Sequence, residues 1–339
     1  MPIPDALKAF ADHFGLRDSE TLSTIFSILY DHEDDLTILP ALPGTTEDIS
    51  AKTGLPAERV KEELYRLARK GAVIKMPKGV FMLPHILLEL RDFSAIWPEA
   101  PPEFFQAWQK LIEEEYTKAL SKQRELGIQS RSRTLLIQEA VPSEGRVLDR
   151  NSLRQIIKDA KLITTVPCPC RLQAEIAGKR PSDCPAGDKS FCMQTGKMAQ
   201  ALVNRGIATV LSTEEALERI DEASAAGLVH NVTDFVDDYK TASEIGMSIC
   251  NCCPCCCILL YSVYKGFPEI LGKSGYQPVL NPDDCIGCGE CEDRCPFNAI
   301  STDDIAHIDL EKCRGCGNCV TVCPEKAISM EKTADRTDR

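Results

Sequence analysis

Apolar residues recur at helical spacing through the first part of the chain and predict helices over residues 1–40. This apolar face comprises Leu7, Phe10, Phe14, Leu22, Ile25, Phe26 and Leu29. The same spacing predicts mostly helical structure for residues 84–140. Its core face there comprises Phe104, Phe105, Trp108, Leu111, Ile112 and Tyr116.

Residues 45–84 are predicted to form two helices followed by two short strands. Thr45 is a suitable cap for a short helix, and Gly54 supplies the tight turn after it. Pro56 starts a second helix that ends at Gly71. Two short strands are predicted next, over 72–74 and 80–83. The segment resembles a winged helix-turn-helix.

That resemblance implies DNA binding, but the second helix carries Glu58, Glu62 and Glu63 among its basic residues. A helix that reads the major groove usually places Arg, Lys, Asn or Gln near its first turn. A packing or protein-docking module is therefore favoured, and a redox-sensing DNA-binding regulator remains an alternative.

The middle of the chain alternates helices and strands, which predicts an α/β module. Ser212 and Glu215 form a capping box for a helix that runs to Gly227, and His230 lies on the strand expected after it. A run of cysteines, 250–257, leads into an apolar stretch predicted to be a buried helix. The other predicted elements are helices 150–160 and 196–204 and strands 161–166, 206–211 and 228–232.

Composition narrows the class of protein. The chain has 339 residues, a net charge of −12 and 18 cysteines. The acidic balance disfavours non-specific binding to nucleic acid or anionic membranes. The start of the chain lacks the pattern of a secretory signal, and the longest apolar run, 255–264, is too short to span a bilayer. We therefore expect a cytoplasmic protein without a membrane span, whose cysteines serve metal or redox chemistry.

Eight cysteines near the end of the chain form two copies of C-x2-C-x2-C-x3-C-P, offset by 28 residues. This is the spacing that binds [4Fe–4S] clusters, with the fourth cysteine of each copy passing to the other cluster. Zinc knuckles or disulfides would require a different grouping. The segment resembles a dicluster bacterial-type ferredoxin. The predicted ligands are Cys285, Cys288, Cys291 and Cys323 for cluster 1, and Cys313, Cys316, Cys319 and Cys295 for cluster 2.

Ten further cysteines lie in the middle module, and we expect a subset to bind one or two additional iron–sulfur clusters. Zinc or unligated thiols are the alternatives. Neighbouring cysteines on a helix point about 100° apart, so Cys255, Cys256 and Cys257 are not expected to bind one cluster together. The ten are Cys168, Cys170, Cys184, Cys192, Cys250, Cys252, Cys253, Cys255, Cys256 and Cys257.

Two other side chains are candidates for chemistry in this module. Arg171 follows Cys170 and is placed to stabilise a reduced cluster or an anionic substrate, although a surface ion pair explains it equally well. His230 has a side chain suited to proton transfer, but a structural histidine is the simpler interpretation. No flavin or nucleotide is predicted, because no glycine-rich phosphate-binding motif occurs in a suitable context.

The motifs VPCPCR and ICNCCPCCC, with the single cysteines between them, resemble an incompletely characterised group of Cys-rich iron–sulfur proteins from anaerobes over residues 140–325. The predicted fold class is α+β multidomain, with a helical winged-helix region, an α/β Cys-rich module and a ferredoxin-like dicluster domain. The predicted segments are 1–90, 91–140, 141–265, an irregular linker 266–282, 283–330 and a polar tail 331–339.

These features predict a multi-cluster electron-transfer protein that passes low-potential electrons between a donor, the two ferredoxin clusters and a central cluster site. A redox partner protein or a larger oxidoreductase complex is implied. The first alternative is an oxidoreductase whose central cluster reduces a substrate.

Overall fold

The computed structural model describes residues 2–137, 140, 153–234 and 245–333. Parts of the predicted connector, of the helix at 150–160 and of the polar tail lie outside these residues. The chain divides into two compact units. The first comprises residues 1–129 and 168–180, and the second comprises 130–167 and 181–339.

The first unit is mainly helical. Its core contains Phe26, Phe104 and Trp108, each at most 1% exposed. All residues of the predicted apolar faces except the half-buried Phe10 are buried, as the hydrophobic effect favours for helices with this spacing. Its helices are α1 (Asp5–His13), α2 (Glu20–Leu29), α3 (Asp35–Ile38), α4 (Thr46–Thr53), α5 (Ala57–Lys70), α6 (Leu87–Ser94), α7 (Pro102–Glu114), α8 (Tyr116–Glu125) and α10 (Pro169–Ile176).

Within this unit, the predicted order of elements between residues 45 and 84 is present. Thr45 and Asp48 form a capping box at the start of α4, and Gly54 ends that helix in a left-handed conformation. The strands β1 (Ile74–Lys75) and β2 (Phe81–Met82) pair antiparallel after α5. Mixed helix and sheet are thus present here, while the resemblance to a winged helix-turn-helix stays a prediction.

The second unit contains a six-stranded sheet in the order β3-β7-β8-β5-β4-β6. One face packs on α9 (Leu153–Asp159) and α12 (Thr213–Ala225) through a core that includes Ile156, Ile220 and Ile249. The strands are β3 (Ser132–Thr134), β4 (Ile163–Val166), β5 (Cys192–Thr195), β6 (Thr209–Leu211), β7 (Val229–Asp234) and β8 (Met247–Cys252).

Every neighbouring pair in this sheet is antiparallel. The sheet is therefore wholly antiparallel, although helices alternate with strands along the chain as predicted for this α/β module. β5 and β6 both pair with β4, so they run parallel to each other and are joined by α11 (Gly196–Asn204). Helices and strands alternate along the chain here as they would in a parallel sheet. Because β4 lies between β5 and β6, every neighbouring pair is nevertheless antiparallel.

The rest of the second unit begins with α13 (Ile258–Tyr264) and contains two small antiparallel pairs of strands. The predicted linker 266–282 is not irregular throughout, because it contains β9, which pairs with β12 near the end of the described chain. The remaining elements are β9 (Tyr276–Leu280), α14 (Glu290–Arg294), β10 (Ile300–Thr302), β11 (Ala306–Ile308), α15 (Asn318–Val322) and β12 (Ile328–Lys332).

Candidate metal centres

Two pockets of similar size lie between the cysteine motifs near the end of the chain. The first has about 340 Å³ of space between its atoms and the second about 330 Å³, and both volumes include space open to solvent. Each takes cysteines from both copies of the repeat. Cys285, Cys288, Cys291 and Cys323 line the first pocket, and Cys295, Cys313, Cys316 and Cys319 line the second.

The two copies position their cysteines in the same way. α14 starts after Gly289 and α15 after Gly317, and both glycines have positive φ. The amide of Ala299 donates to Cys295 Sγ at 3.4 Å, and the amide of Ala327 donates to Cys323 Sγ at 3.2 Å. These paired N–H···S contacts are 28 residues apart and reproduce the repeat offset of the sequence.

Burial disfavours thiolates in these pockets unless a cation balances their charge. Burial raises the pKa of Cys316 to about 12 and also raises the pKa of Cys319 and Cys313. Four convergent thiols, amide donors to sulfur and a pocket at each group fit a cysteine-bound iron–sulfur cluster. The donor set contains only sulfur, which excludes a site for magnesium or calcium.

Residues 278–330 match the family model of the 4Fe–4S dicluster domain. We call residues 278–330 the dicluster segment. The match agrees with the ferredoxin resemblance of the sequence and supports iron–sulfur clusters in this segment. Searches of curated proteins and of solved structures found no match to the chain.

Both copies of the repeat in the dicluster segment contact the six-stranded sheet region and the helices beside it. Asn318 is 1% exposed and donates its side-chain amide to the Gly227 carbonyl at 2.9 Å. The Ile137 amide donates to the Cys316 carbonyl at 2.9 Å. The Tyr264 hydroxyl donates to the carbonyl of Pro296, which follows Cys295. The second pocket is consequently the one that adjoins the central cysteines.

Four of the central cysteines form a compact group. The sulfur atoms of Cys184, Cys253, Cys255 and Cys256 all lie within 4.8 Å of one another. Among the described residues this is the one group of three or more metal-binding side chains that is so compact. We call it the four-cysteine group.

Contacts with neighbouring thiols raise the pKa of two members of this group, Cys255 and Cys256. The hydrogen bond with Cys253 contributes most to a pKa of about 12 for Cys255. The same neighbours, Cys253 and Cys255, also raise the pKa of Cys256. Four adjacent thiolates repel each other, so the group becomes fully ionised only when a cation lies between the sulfurs.

The structure corrects the helical interpretation of the cysteine run. Cys250 and Cys252 lie on β8, and residues 254–256 form a turn before α13 begins at Ile258. The turn brings Cys255 and Cys256 into one group, which a helix would not do. Cys257 stays outside that group, so the three adjacent cysteines are still divided between environments.

A second set of cysteines surrounds Cys252. Hydrogen bonds with Cys250 and Cys257, followed by burial, raise the pKa of the Cys252 thiol. Cys250 and Cys252 point to the same face of β8, because side chains alternate along a strand. Cys192 is buried at the start of β5.

The remaining two predicted central ligands, Cys168 and Cys170, belong to the first unit. Arg91 is 1% exposed and donates to Cys170 Sγ at 3.2 Å and to the Gln173 side chain at 2.8 Å. Sequence reasoning singled out Arg171 from adjacency, and it missed Arg91, which precedes Cys170 by 79 residues. No local signal in the sequence identifies such a partner.

Arg171 and His230 are both buried, at 4% and 2% exposure. Burial removes the surface ion pair as an explanation of Arg171. His230 Nε2 lies 2.8 Å from Ser224 Oγ, and Nδ1 lies within hydrogen-bond distance of Asn251 Oδ1. A histidine held at both ring nitrogens fits the structural interpretation.

Two further observations concern DNA binding by α5 and helices that could cross a membrane. The arginines of α5 are paired with acids of the same unit, since Arg59 contacts Asp34 at 2.7 Å and Arg66 contacts Asp31 at 2.8 Å. Such pairing leaves little charge for nucleic acid phosphates. Among the described residues, none of the helices combines the length and the apolar character needed to cross a membrane.

Proposed function

We propose that this protein is a multi-cluster iron–sulfur electron-transfer protein whose dicluster segment binds two [4Fe–4S] clusters. The observation that carries the proposal is the pair of pockets, each lined by four cysteines drawn from both copies of the repeat. Cys285, Cys288, Cys291 and Cys323 are the proposed ligands of cluster 1. Cys313, Cys316, Cys319 and Cys295 are the proposed ligands of cluster 2.

Such clusters, when bound, accept and release single electrons at potentials set by their surroundings. The chain tunes this chemistry through the amide donors of Ala299 and Ala327, which stabilise the more negative, reduced state. Burial of Cys316 and Cys319 acts in the opposite direction, because a charged centre is less stable away from water.

The two pockets differ in access, which gives the proposed electron path a direction. Cys288 is exposed, and its neighbour Ile286 is 64% exposed, so the first pocket is suited to a redox partner protein. The second pocket has two buried cysteines and adjoins Tyr264. Burial and the thiols of Cys257 and Cys295 raise the pKa of Tyr264, and this coupling supports a position of the ring between cluster 2 and the central cysteines.

We propose a third iron–sulfur centre in the central module, with its ligands among the cysteines outside the four-cysteine group. Cys250 and Cys257 are the candidate ligands here, because each contacts Cys252 and a cube cannot bind two touching sulfurs. Electrons would then pass from a partner through the first and second pockets to the central module. Such thiol-rich sites fit a reducing cytoplasm.

For residues 45–84 we propose a winged-helix-like module that docks protein. The ion pairs of Arg59 and Arg66 with acids of the same unit support docking over DNA binding. We expect no salt-sensitive shift of duplex DNA in a gel at physiological ionic strength. A sequence-specific shift would revive the regulator alternative.

Iron and acid-labile sulfide per chain test the proposal in protein purified without oxygen. About eight of each are expected from the dicluster segment, and about twelve if the third centre is also a [4Fe–4S] cluster. Potentiometric titration followed by electron paramagnetic resonance should reveal interacting one-electron centres at low potential. A chain reconstituted without oxygen that retains neither iron nor sulfide would overturn the proposal.

A further inference from the structure

The distances between sulfur atoms in the four-cysteine group determine how many metal ions it can hold. Cys255 Sγ lies 3.4 Å from Cys184 Sγ and 3.5 Å from Cys256 Sγ. No pair in the group exceeds 4.8 Å. The four sulfurs therefore enclose a single small space.

A single tetrahedral ion and a cubane cluster place their thiolates differently. Zinc–sulfur bonds of about 2.3 Å put the sulfurs of a tetrahedron about 3.8 Å apart. In a [4Fe–4S] cluster each cysteine binds a different iron at the periphery of the cube, so its sulfurs lie about 6 Å apart. The observed distances match the single ion and leave no space for a cube.

The dicluster segment provides an internal comparison. Its eight cysteines all lie within the described range 245–333, and none of them joins a group with sulfurs within 4.8 Å of one another. They line two separate pockets instead. The same chain thus contains two arrangements of four cysteines that differ in size.

The local chain explains the compact arrangement. Cys253 and Cys256 have the C-x2-C spacing of a zinc knuckle, with Pro254 in the turn between them. Cys184 comes from a second tight loop, in which the Gly187 amide donates to the Cys184 carbonyl at 3.0 Å. Phe191 and Leu228 pack beside the group and exclude water from its inner side.

We infer that Cys184, Cys253, Cys255 and Cys256 bind one thiophilic divalent metal ion, zinc or ferrous iron, as four tetrahedral thiolates. Binding breaks the S–H bonds of the thiols, forms four metal–sulfur bonds and releases the protons to solvent, with no change in oxidation state. The ion joins the loop around Cys184 to the turn after β8. This inference rests on the sulfur distances and not on the proposed electron-transfer function.

The first experiment compares metal and sulfide contents of the full chain, purified without oxygen, with those of Cys255→Ser. Cys255 is exposed, so its replacement disturbs packing least. We expect loss of about one zinc or iron per chain with acid-labile sulfide unchanged. Pro254→Ala is the matched control, because it changes the same turn without removing a ligand, and it should retain the ion.

Cys288→Ser in the dicluster segment provides the contrast, since it should lose iron and sulfide together. Loss of about four irons and four sulfides from Cys255→Ser would overturn the inference. If the dicluster segment fails to load while Cys255→Ser still removes one ion, the proposed function fails and this inference stands.

X-ray absorption of the unsubstituted protein decides the question even if Cys255→Ser does not fold. Zinc at this site should give one shell of four sulfurs at about 2.3 Å and no metal neighbour. If zinc is absent, Mössbauer spectra should contain a mononuclear tetrahedral iron–thiolate species beside the clusters. A zinc shell dominated by nitrogen or oxygen, or a protein with neither species, would contradict the inference.

Discussion

The dicluster segment and the four-cysteine group both bring four cysteines together, but they do so on different scales. In the dicluster segment the cysteines line two pockets, and none of them belongs to a group of three or more with sulfurs within 4.8 Å of one another. In the four-cysteine group all sulfurs lie within 4.8 Å of one another. The comparison teaches that the separation of the sulfurs, and not the number of cysteines, selects between a cluster and a single ion.

The backbone is the source of this difference. In the dicluster segment, the third cysteine of each copy lies in a short helix that ends just before the fourth cysteine, which lines the other pocket. In the four-cysteine group, a turn places three ligands within four consecutive residues, 253–256. A turn that short holds its sulfurs around one point.

The largest expected effect tests the crossing of the fourth cysteine. Cys295→Ser should abolish cluster 2, and adding Cys313→Ser should cause no further loss, because both residues line the second pocket. Cys295→Ser with Cys285→Ser should abolish both clusters, a loss of about eight irons and eight sulfides. The measurement is iron and sulfide per chain after reconstitution without oxygen.

The opposite pattern would show that each copy binds its own cluster. In that case Cys295→Ser with Cys285→Ser would remove one cluster, and Cys295→Ser with Cys313→Ser would remove both. The comparison of the segment with the four-cysteine group would then lose its geometric basis.

A smaller effect is expected from glycines beside the pockets. Gly315 has φ +71°, and an added Cβ would lie 2.2 Å from the Tyr276 carbonyl oxygen. Gly315→Ala should therefore lower the free energy of unfolding by about 3 kcal/mol or more, since strain and steric overlap add. The measurement is urea unfolding without oxygen, followed by visible absorbance of the clusters.

Gly289→Ala is the matched control. Gly289 has a similar φ of +80°, but an added Cβ has no neighbouring atom within 4 Å. Only the left-handed backbone conformation then opposes the substitution, at a cost of about 1–2 kcal/mol. Equal effects of the two substitutions would mean that the close approach at Gly315 does not contribute.

A third substitution tests the attachment of the dicluster segment to the sheet region. Asn318→Ala removes the hydrogen bond to the Gly227 carbonyl and leaves that partly buried oxygen without its donor, so we expect a loss of about 1–2 kcal/mol. Thermal unfolding followed by circular dichroism measures it. The exposed Ser329→Ala should leave the midpoint unchanged, and an equal shift there would refute the specific role of Asn318.

The smallest expected effect is a difference in rate between the two pockets. Cluster 1 should be lost before cluster 2 on exposure to air, because the first pocket includes the exposed Cys288 and the second includes buried Cys316 and Cys319. Parallel decay measurements on Cys291→Ser, which keeps cluster 2, and Cys316→Ser, which keeps cluster 1, resolve the two rates. Faster loss of cluster 2 would reverse the proposed order of access.

Local signals in the sequence predicted much of the fold. The Ser212 and Glu215 capping box is confirmed, as are the helix over Gly196–Asn204 and a buried strand at Ile163–Val166. Each depends on residues a few positions apart, so the chain pattern contains the necessary information. The cysteine sets that line the two dicluster pockets are the ones expected from two copies of the repeat that exchange their fourth cysteines.

Long-range associations were not predictable in the same way. Cys184 precedes Cys255 by 71 residues, and Arg91 precedes Cys170 by 79. The strand β3, which lies in a region predicted to be mostly helical, exists because it pairs with β7 about one hundred residues later. Tertiary pairing decides such elements, and no periodicity near them reports it.

The reciprocal exchange of cysteines also bears on ancestry. A molecule with only one copy of the repeat would hold three cysteines for one pocket and a fourth directed elsewhere. It would complete its sites only by pairing with a second such molecule about a two-fold axis, each lending one cysteine to the other. The segment therefore has the arrangement expected of a symmetric dimer whose two subunits were joined into one chain by gene duplication and fusion.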